Sequence, residues 1–225
     1  MDSDKEFIKH YQELLHEIKS PLDIIRAHAL YIKNNTNKIE NLEEYLDIIL
    51  SEAERLDSFL REVGDSIKKV KLSLSLCDIN RIIEDVAKKL RHDFDKKGVT
   101  LKCNLKKGLP ENYVDCNKIY RALINLINNA LYSVERGGIV EISTDMNESF
   151  CIKVKDNGCG IKKGDNEKIF QPFYTTKPEG TGLGLYIVKN IISAHGGSIN
   201  VSSEENKGAE FLIILPIVKK RVDNG

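Results

Sequence analysis

The chain has 225 residues, of which 41% are hydrophobic and 30% charged, a composition typical of one large or two small globular domains. Lysine and arginine together number 34, as do aspartate and glutamate, so the sequence lacks the basic excess expected of a nucleic-acid-binding protein. Its apolar runs are shorter than the about 20 residues that span a bilayer, and its first residues, MDSDKEF, do not resemble a signal peptide. We therefore expect a cytoplasmic protein with no nucleic-acid partner and no membrane segment in this chain.

The N-terminal third carries two helical patterns. Apolar residues recur every three or four positions from Phe7 to Ile32 and again from Leu42 to Val70, with the polar segment NNTNKIEN between the two series. This arrangement predicts an antiparallel helical hairpin with its turn near 34–41. Because two helices with wide apolar faces enclose no core, we expect two hairpins to pair into a four-helix bundle, which makes the protein a homodimer.

A domain boundary is predicted near 71–76, where KLSLSL alternates like a short strand or an extended linker. Helical periodicity resumes in CDINRIIEDVAKKLRHDFDKKG, followed by the strand-like VTLKCNL and a helix from about Asn117 to Val134. The β-rich segments IVEISTD and FCIKVKDN come next, and SINVSS and AEFLIILPI follow a glycine-rich region and a further helix. Runs of antiparallel strands interleaved with helices favour an α+β fold in which helices cover one face of a single sheet.

Five cysteines are scattered along the chain without a C-x-x-C pair, and the histidines do not cluster with them at ligand spacing. The pattern predicts neither a disulfide framework nor a zinc site. We expect these cysteines to be small buried hydrophobic residues.

Two asparagines, Asn125 and Asn129, lie four residues apart in RALINLINNALYSV and so share one face of an otherwise apolar helix. Asparagine is a poor residue for a helix interior, and its carboxamide oxygen suits a magnesium ion that carries nucleotide phosphates. The alternative interpretation is that one asparagine faces solvent or caps a neighbouring loop.

A second polar group comes where a predicted strand ends, at Asp156, and leads into the turn Gly158 to Gly160. The carboxylate could accept a hydrogen bond from an exocyclic amine such as adenine N6. Asp-Asn-Gly is also a common turn sequence whatever the function, so the turn alone does not decide.

A third cluster, GTGLGL, places Gly180, Gly182 and Gly184 directly before an apolar helix. It is not the G-x-G-x-x-G dinucleotide pattern, but glycines ahead of a helix N-terminus can bring backbone N–H groups close to phosphate oxygens. Between the two glycine motifs, residues 162–181 include Phe170, Phe173 and Tyr174 among charged residues. We interpret 162–181 as a lid over a nucleotide; the alternative is a hydrophobic anchor for a long loop.

In this order and at these intervals, the motifs resemble the asparagine, glycine, phenylalanine and second glycine boxes of sensor histidine kinases. The resemblance covers about 77–218 and implies an α/β sandwich of the Bergerat or GHKL type that binds ATP, with Mg²⁺ held by Asn129. DNA gyrase and related ATPases share this nucleotide fold. The implied nucleotide contacts are Asn125, Asn129, Asp156, Gly158, Gly160, Phe170, Phe173, Thr176, Lys177, Gly180, Thr181, Gly182, Leu183 and Gly184.

Upstream, LLHEIKSPLDII resembles the phosphoacceptor box of the same kinases and places His16 on the first helix. The resemblance implies that His16 is phosphorylated by ATP and passes the phosphoryl group to an aspartate of a response regulator receiver domain. Neutral imidazole dominates near pH 7, so the ring can act as a nucleophile. The family gives the next residue, here Glu17, the role of fixing the ring tautomer, and we expect Pro21 to kink the helix just beyond.

Two positions depart from the common family pattern. Tyr132 and Ser133 stand where many of these kinases have Lys and Tyr, so a phosphate-neutralising lysine is absent there; the FQPFYTTK segment resembles the nitrogen-regulation and sporulation kinases, in which this is usual. Ser20 stands where many members have Thr or Asn to orient the water that removes phosphate from the partner, which leaves phosphatase activity open.

The expected organisation is therefore a dimerising phosphoacceptor hairpin over 1–72, an ATP-binding domain over 77–218 and a tail over 219–225. Two other functions compete with the kinase. One is a non-catalytic scaffold with a degenerate nucleotide site, which the intact Asn129, Asp156 and glycines argue against. The other is a kinase of serine on an anti-sigma-type partner, or a simple ATPase, which the HEIKSPL box argues against.

Overall fold

The computed structural model describes residues 2–35, 41–67, 70–177 and 180–218, with the backbone alone at 2–17, 58, 61–62 and 65–67. The described chain divides into two compact units. One contains the N-terminal residues up to 68 together with 172–183, and the other contains 69–171 and the residues from 184 onward. The predicted tail, 219–225, lies outside the described residues.

The first unit is built on two long helices, α1 (Asp2–Asn35) and α2 (Leu42–Ile67), where the apolar spacing predicts them. The helix α2 begins just after Asn41, whose carbonyl accepts the Glu44 N–H at 3.0 Å, and acidic residues in its first turn suit the positive end of the helix dipole. The ring of Tyr45 on α2 packs against Tyr31 of α1 at 4.8 Å between ring centroids. The predicted turn lies mostly outside the described residues.

The described residues of the second unit form three helices, a short 3₁₀ turn and seven strands. The helices are α3 (Ile79–Lys97), α4 (Cys116–Ser133) and α5 (Gly184–Ala194), and the 3₁₀ turn is Lys168–Phe170. The strands are β1 (Ser75–Cys77), β2 (Thr100–Asn104), β3 (Asn112–Val114), β4 (Ile139–Met146), β5 (Ser149–Asp156), β6 (Ser198–Ser203) and β7 (Ala209–Pro216).

Five strands form one sheet in the order β2-β4-β5-β7-β6, and β1 pairs with β3 in a separate two-stranded sheet. On β5, Phe150, Ile152 and Val154 are buried while the residues between them are more exposed, so one face of the sheet forms the core. That core is completed by the buried stripes of α3, α4 and α5. The single sheet with helices on one face agrees with the sequence prediction.

Two details of the sheet differ from that prediction. Strand β2 runs parallel to β4, not antiparallel, because the chain between them crosses over through α4. Strand β3 was not predicted, since three residues are too few to show an alternating pattern.

The prediction for the cysteines is also wrong. Cys77 at the end of β1 and Cys116 at the start of α4 are joined in a disulfide, with their Cα atoms 6.2 Å apart. Of the three free cysteines, Cys103 and Cys159 are exposed and Cys151 is half-buried. Only the fold brings together two cysteines that are 39 residues apart in sequence.

Candidate functional site

Helix α4 places Asn125 and Asn129 beside its buried stripe. The carboxylate of Asp115 caps the helix by accepting the Lys118 N–H at 3.0 Å, and the residues facing the core include Ala122, Leu126 and Ala130. Both asparagines are half-buried on the flank of that stripe, one helical turn apart. The predicted pair therefore shares one side of α4, at the edge of the core and not within it.

Asp156 ends β5 and is 4% exposed. Its Oδ1 accepts the Gly158 N–H at 2.9 Å, and its carboxylate is further hydrogen-bonded by the Ser133 hydroxyl and the Ala209 N–H. Burial raises the pKa of this carboxyl above the ordinary aspartate value, and the three hydrogen bonds only partly oppose that effect. A buried carboxylate with a raised pKa is a mark of a functional site, not of an ordinary surface turn.

The turn that follows Asp156 is fixed against the end of α4. The Cys159 N–H donates to the Ser133 carbonyl at 3.1 Å, and a Cβ at residue 158 would fall on that same carbonyl, so only glycine fits there. The neighbouring Asn157 accepts the Ile139 N–H at 2.7 Å and has a structural role. The Asp-Asn-Gly sequence is thus a true turn, and it also holds Asp156 beside the helix that carries the two asparagines.

Ser133 is a site residue whose role the sequence did not reveal. Its hydroxyl hydrogen-bonds Asp156 and also lies 2.8 Å from the carbonyl oxygen of Ala130, so its single proton can serve only one of them at a time. From sequence it was notable only as a departure from the family pattern. Nothing in local spacing links residues 133 and 156, so no sequence signal could have found this bond.

Phe170 lies in the core of the second unit. Its ring is buried and meets Phe211 of β7 edge-on at 6.4 Å between centroids, while the Lys189 ammonium lies 5.8 Å from the ring centre. Phe170 therefore anchors the chain in the core of the second unit, as the alternative interpretation of 162–181 expected for an aromatic in a long loop.

Most of the residues after Phe170 that the sequence assigned to the nucleotide fall in the first unit. They are Phe173, Thr176, Lys177, Gly180, Thr181, Gly182 and Leu183. The last assigned residue, Gly184, begins α5. Locally, the Thr175 hydroxyl accepts the Lys177 N–H at 3.0 Å and the Gly180 N–H donates to the Lys177 carbonyl at 3.2 Å. These bonds fold the chain around Lys177, which is half-buried.

Two backbone features mark this segment as a special turn. Phe173 has a φ of 65°, a left-handed conformation that is uncommon for a bulky residue. Gly182 has a φ of 66° and passes so close to the Phe173 backbone that a Cβ would overlap it. By contrast, no described atom lies within 4 Å of a Cβ built at Gly184, so the start of α5 is open.

His16, Glu17 and Ser20 lie on α1 as predicted, and Ser20 is exposed. The side chains of His16 and Glu17 are outside the described set. Pro21 is buried inside α1, and the helix continues past it to Asn35. Proline removes one backbone N–H from the turn that contains the predicted phosphoacceptor.

The donor chemistry fits magnesium carried by a nucleotide. Among the described residues there is no cluster of three or more His, Cys, Asp or Glu side chains that could hold a metal by themselves. Magnesium keeps several waters and commonly takes few protein ligands, with phosphates supplying others, so a single carboxamide oxygen from Asn129 is a suitable donor.

None of the described helices is long and apolar enough to cross a membrane.

Comparison with known proteins agrees with this geometry. Residues 114–219 match the family described as histidine kinase-, DNA gyrase B-, and HSP90-like ATPase. The chain is 32% identical over 209 residues to the sensor histidine kinase ZraS of Escherichia coli K12, covering 92% of this chain and 45% of ZraS. It is 32% identical over 207 residues to sporulation kinase C of Bacillus subtilis, covering 91% of this chain and 47% of that kinase.

A similar solved structure is the catalytic domain of histidine kinase ThkA, 31% identical with a TM-score of 0.60 over 64% of this chain and 96% of that one. ThkA in complex with the response regulator protein TrrA is 27% identical with a TM-score of 0.78, over 93% of this chain and 61% of that one. The chain therefore belongs to the histidine kinases and has a GHKL-type ATP-binding domain. It spans about half the length of the curated relatives it matches, 45% and 47%.

Proposed function

We propose that this chain is the catalytic part of an ATP-dependent histidine kinase that autophosphorylates His16 and passes the phosphoryl group to an aspartate of a response regulator. The observation that carries the proposal is the buried Asp156 carboxylate, held by Ser133 and Gly158 beside the helix of Asn125 and Asn129. ThkA, a relative with the same fold, is known in complex with a response regulator. The proposal includes a cytoplasmic location, because the substrate is ATP.

The roles of the residues follow from their chemistry. Asp156 accepts the adenine amino group, and its fixed hydrogen bonds hold the carboxylate in place before ATP arrives. Asn129, with Asn125 next to it, holds Mg²⁺, which supplies charge neutralisation on the phosphates. Lys177 and the backbone N–H groups at Gly182 and Gly184 add positive charge on the phosphate side. Thr176, Thr181 and Leu183 lie in the same segment of chain, and the proposal counts them among the residues that surround the nucleotide.

The reaction at His16 is a phosphoryl transfer. A neutral ring nitrogen attacks the γ-phosphorus of ATP, the bond from that phosphorus to the bridging oxygen breaks, and ADP leaves. Glu17 accepts the proton of the other ring nitrogen and so keeps the attacking nitrogen free. The phosphoryl group then passes to the receiver-domain carboxylate. Ser20 is exposed one turn beyond His16. We assign to its hydroxyl the orientation of a water that hydrolyses the phosphoryl group on the response regulator, which is the phosphatase reaction that the proposal leaves open.

The helical unit supports a homodimer as part of the proposal. One face of α2 carries three exposed leucines, Leu42, Leu46 and Leu60. Their side chains are 42%, 43% and 49% exposed. That face is distinct from the side of α2 that carries the buried Phe59. Pairing of α1 and α2 with the same helices of a second copy in a four-helix bundle would bury these leucines. The predicted ranges 1–72 and 77–218 are the two functional domains of this proposal.

Labelling with radioactive ATP and magnesium tests the proposal. We expect label on the wild type and none on His16→Gln, because the nucleophile is gone, and none on Asn129→Asp, because the magnesium donor changes. His28→Gln is the matched control: it is another histidine of α1, its ring contacts Tyr45 at 5.7 Å, and it should still be labelled. The label should be lost in acid and survive base, as phosphohistidine does.

Label that persisted on His16→Gln, or that resisted acid, would overturn the proposal and point to a serine kinase. ATP hydrolysis without any protein labelling would favour the simple ATPase instead.

A further inference from the structure

The linker after α2 is attached to the second unit by a short set of contacts. Strand β1 pairs with β3 through only three residues on each side. Just before it, the Ser73 N–H donates to Asp115 Oδ2 at 2.9 Å. The third attachment is covalent, because Cys77 ends β1 and is joined to Cys116, the first residue of α4. A disulfide therefore lies where the chain passes from the helical unit to the nucleotide-binding unit.

We propose that Cys77 and Cys116 form a reversible thiol–disulfide site that fastens this linker to α4 when oxidised and releases it when reduced. Disulfides are rare and mostly regulatory or catalytic in reducing compartments. The two cysteines take no part in the nucleotide site. The proposed site would therefore respond to the redox state of the surroundings without changing the residues assigned to the nucleotide.

The surroundings suit both states of the pair. The Cα separation of 6.2 Å lies within the ordinary disulfide range. In the reduced state the Cys77 thiol has two carbonyl acceptors at hand, Ser75 at 3.3 Å and Val114 at 3.5 Å. The Ser75 hydroxyl lies 3.6 Å from the Cys116 sulfur and can donate to it. Opening the bond therefore leaves no buried polar group without a partner.

The two sulfurs have different accessibility, which gives them different roles. Cys116 is half-buried and sits in the first turn of α4, where the helix dipole stabilises a thiolate. Cys77 is only 4% exposed. Cys116 is thus the sulfur that meets an external reagent, and Cys77 is the resolving thiol.

The exchange balances with a small disulfide such as oxidised glutathione as the oxidant. The Cys116 thiolate attacks one sulfur of glutathione disulfide, forming a mixed disulfide and releasing one glutathione thiolate. Cys77 then loses its proton and attacks the Cys116 sulfur, which releases the second glutathione. Two protein thiols are oxidised and one small disulfide is reduced to two thiols. A dithiol reductant reverses both steps.

Closing the disulfide shortens the free linker. If β1 detaches from β3, its three residues add about 10 Å of reach between α2 and α3. With the disulfide closed, Cys77 stays on α4 and that reach is lost. Asn129 lies 13 residues further along α4, about 20 Å away, so nucleotide contacts should not change. On the proposed kinase function, oxidation should therefore slow the delivery of phosphate to His16 without weakening ATP binding.

The site is tested on the purified chain poised in oxidised glutathione or in dithiothreitol. Mass spectrometry of a digest should show a Cys77–Cys116 cross-linked peptide only in the oxidised sample, and dithiothreitol should remove it. The oxidised wild type should melt about 5–10 °C above the reduced form, because the disulfide closes a long loop. Cys116→Ser should show neither effect. Cys103→Ser, which removes an exposed cysteine of β2, should behave like the wild type.

Failure to form the cross-link in folded protein, or a cross-link to another cysteine, would overturn the site. A cross-link that formed without slowing His16 labelling, at equal nucleotide affinity in both states, would overturn its effect on delivery. If no label appeared in either redox state while the cross-link and melting shift were present, the kinase proposal would fail and the thiol site would stand.

Discussion

Asp156 combines burial, which disfavours its charge, with three hydrogen bonds that favour it, and burial is the larger effect on its pKa. The chain keeps this carboxylate at the end of β5 although a neutral side chain would be less costly there. Functional residues commonly carry such a cost, which the rest of the fold offsets. In the proposed site, the Asp156 carboxylate thus favours ATP binding but lowers the stability of the folded chain.

Asp156→Asn should weaken ATP binding by about 10- to 100-fold, because a hydrogen bond to a charged acceptor is lost. It should not lower the melting temperature at pH 7, because the amide oxygen can still accept the Gly158 N–H at 2.9 Å. Titration calorimetry and thermal melts check the two parts. Asp145→Asn is the matched control: that exposed carboxylate pairs with Lys106 at 2.6 Å and should leave ATP binding unchanged.

The same carboxylate predicts a dependence of stability on pH. Because the folded pKa of Asp156 is raised, its favourable contribution is complete below the unfolded pKa and is lost as pH rises through the folded pKa. The melting temperature of Asp156→Asn minus that of the wild type should therefore increase across that window and level off above it. A difference that stayed constant or decreased with rising pH would contradict the assignment.

Helix α4 is held at its N-terminus by a connected set of bonds. Asp115 accepts the N–H groups of Lys118 and Ser73 through its carboxylate, and its own N–H donates to Nε2 of His195 at 3.0 Å. The other ring nitrogen of His195 bonds the Ile191 carbonyl at 2.7 Å. One residue thereby links the linker, α4 and α5, and it also sets the position of the helix that carries Asn129.

Asp115→Ala should destabilise the protein by about 1–3 kcal/mol, since it removes a helix cap and the Ser73 contact together. Urea unfolding measures this. The matched variant Asp78→Ala removes a cap of the same kind on α3, where the carboxylate accepts the Asn80 N–H at 2.9 Å but makes no linker contact. The loss of unfolding free energy in Asp78→Ala should therefore be smaller than in Asp115→Ala. Equal losses in the two variants would show that the Ser73 contact contributes nothing.

For Asp115 the pH dependence has the opposite sign to that of Asp156. Burial alone raises its pKa, but the Ser73 and Lys118 N–H donors and the nearby charge of Lys118 outweigh it, so the pKa is lowered. Its stabilising contribution is present above the unfolded pKa and is lost as pH falls through the folded pKa. The difference in the free energy of unfolding between the wild type and Asp115→Ala, measured by urea unfolding, should accordingly become smaller in acid.

At the scale of the whole molecule, the two units have different relations to solvent. The unit with the sheet has a continuous buried core, which runs from Ile79 in α3 to Leu215 in β7. In the helical unit, leucines of α2 remain exposed on one face. Such a face favours association, and the proposed homodimer would bury it in a four-helix bundle.

Leu60→Glu should convert the proposed dimer to a monomer, because a charge would be buried at the proposed bundle interface without a partner. Sedimentation over a range of concentrations would measure the change. Leu74→Glu is the control, since Leu74 is 50% exposed against 49% for Leu60 but lies outside the helices. A wild type that is monomeric at every concentration, or a dimer unaffected by Leu60→Glu, would contradict the bundle.

Local pattern was enough to predict most of the elements and the order of the motifs. Helices α1 and α2 follow from three-and-four spacing, because that period is a property of the helical backbone. Strands β4, β5 and β7 follow from segments rich in residues that favour strands. The order and intervals of the asparagines and glycines carried the resemblance to a kinase family that implied the nucleotide domain, which the comparisons bear out. Each helix or strand signal is contained within about 30 consecutive residues, and the motifs together lie between Asn125 and Gly184.

Other features depended on contacts between distant parts of the chain. The parallel pairing of β2 with β4, the packing of Phe170 on Phe211 and the Cys77–Cys116 disulfide each join residues about 40 apart. The Asp115 N–H to His195 bond joins residues 80 apart. Periodicity records which side of an element is apolar but not which distant residue will meet it. Only the closed core decides those neighbours, and with them the environment of Asp156 and the state of the two cysteines.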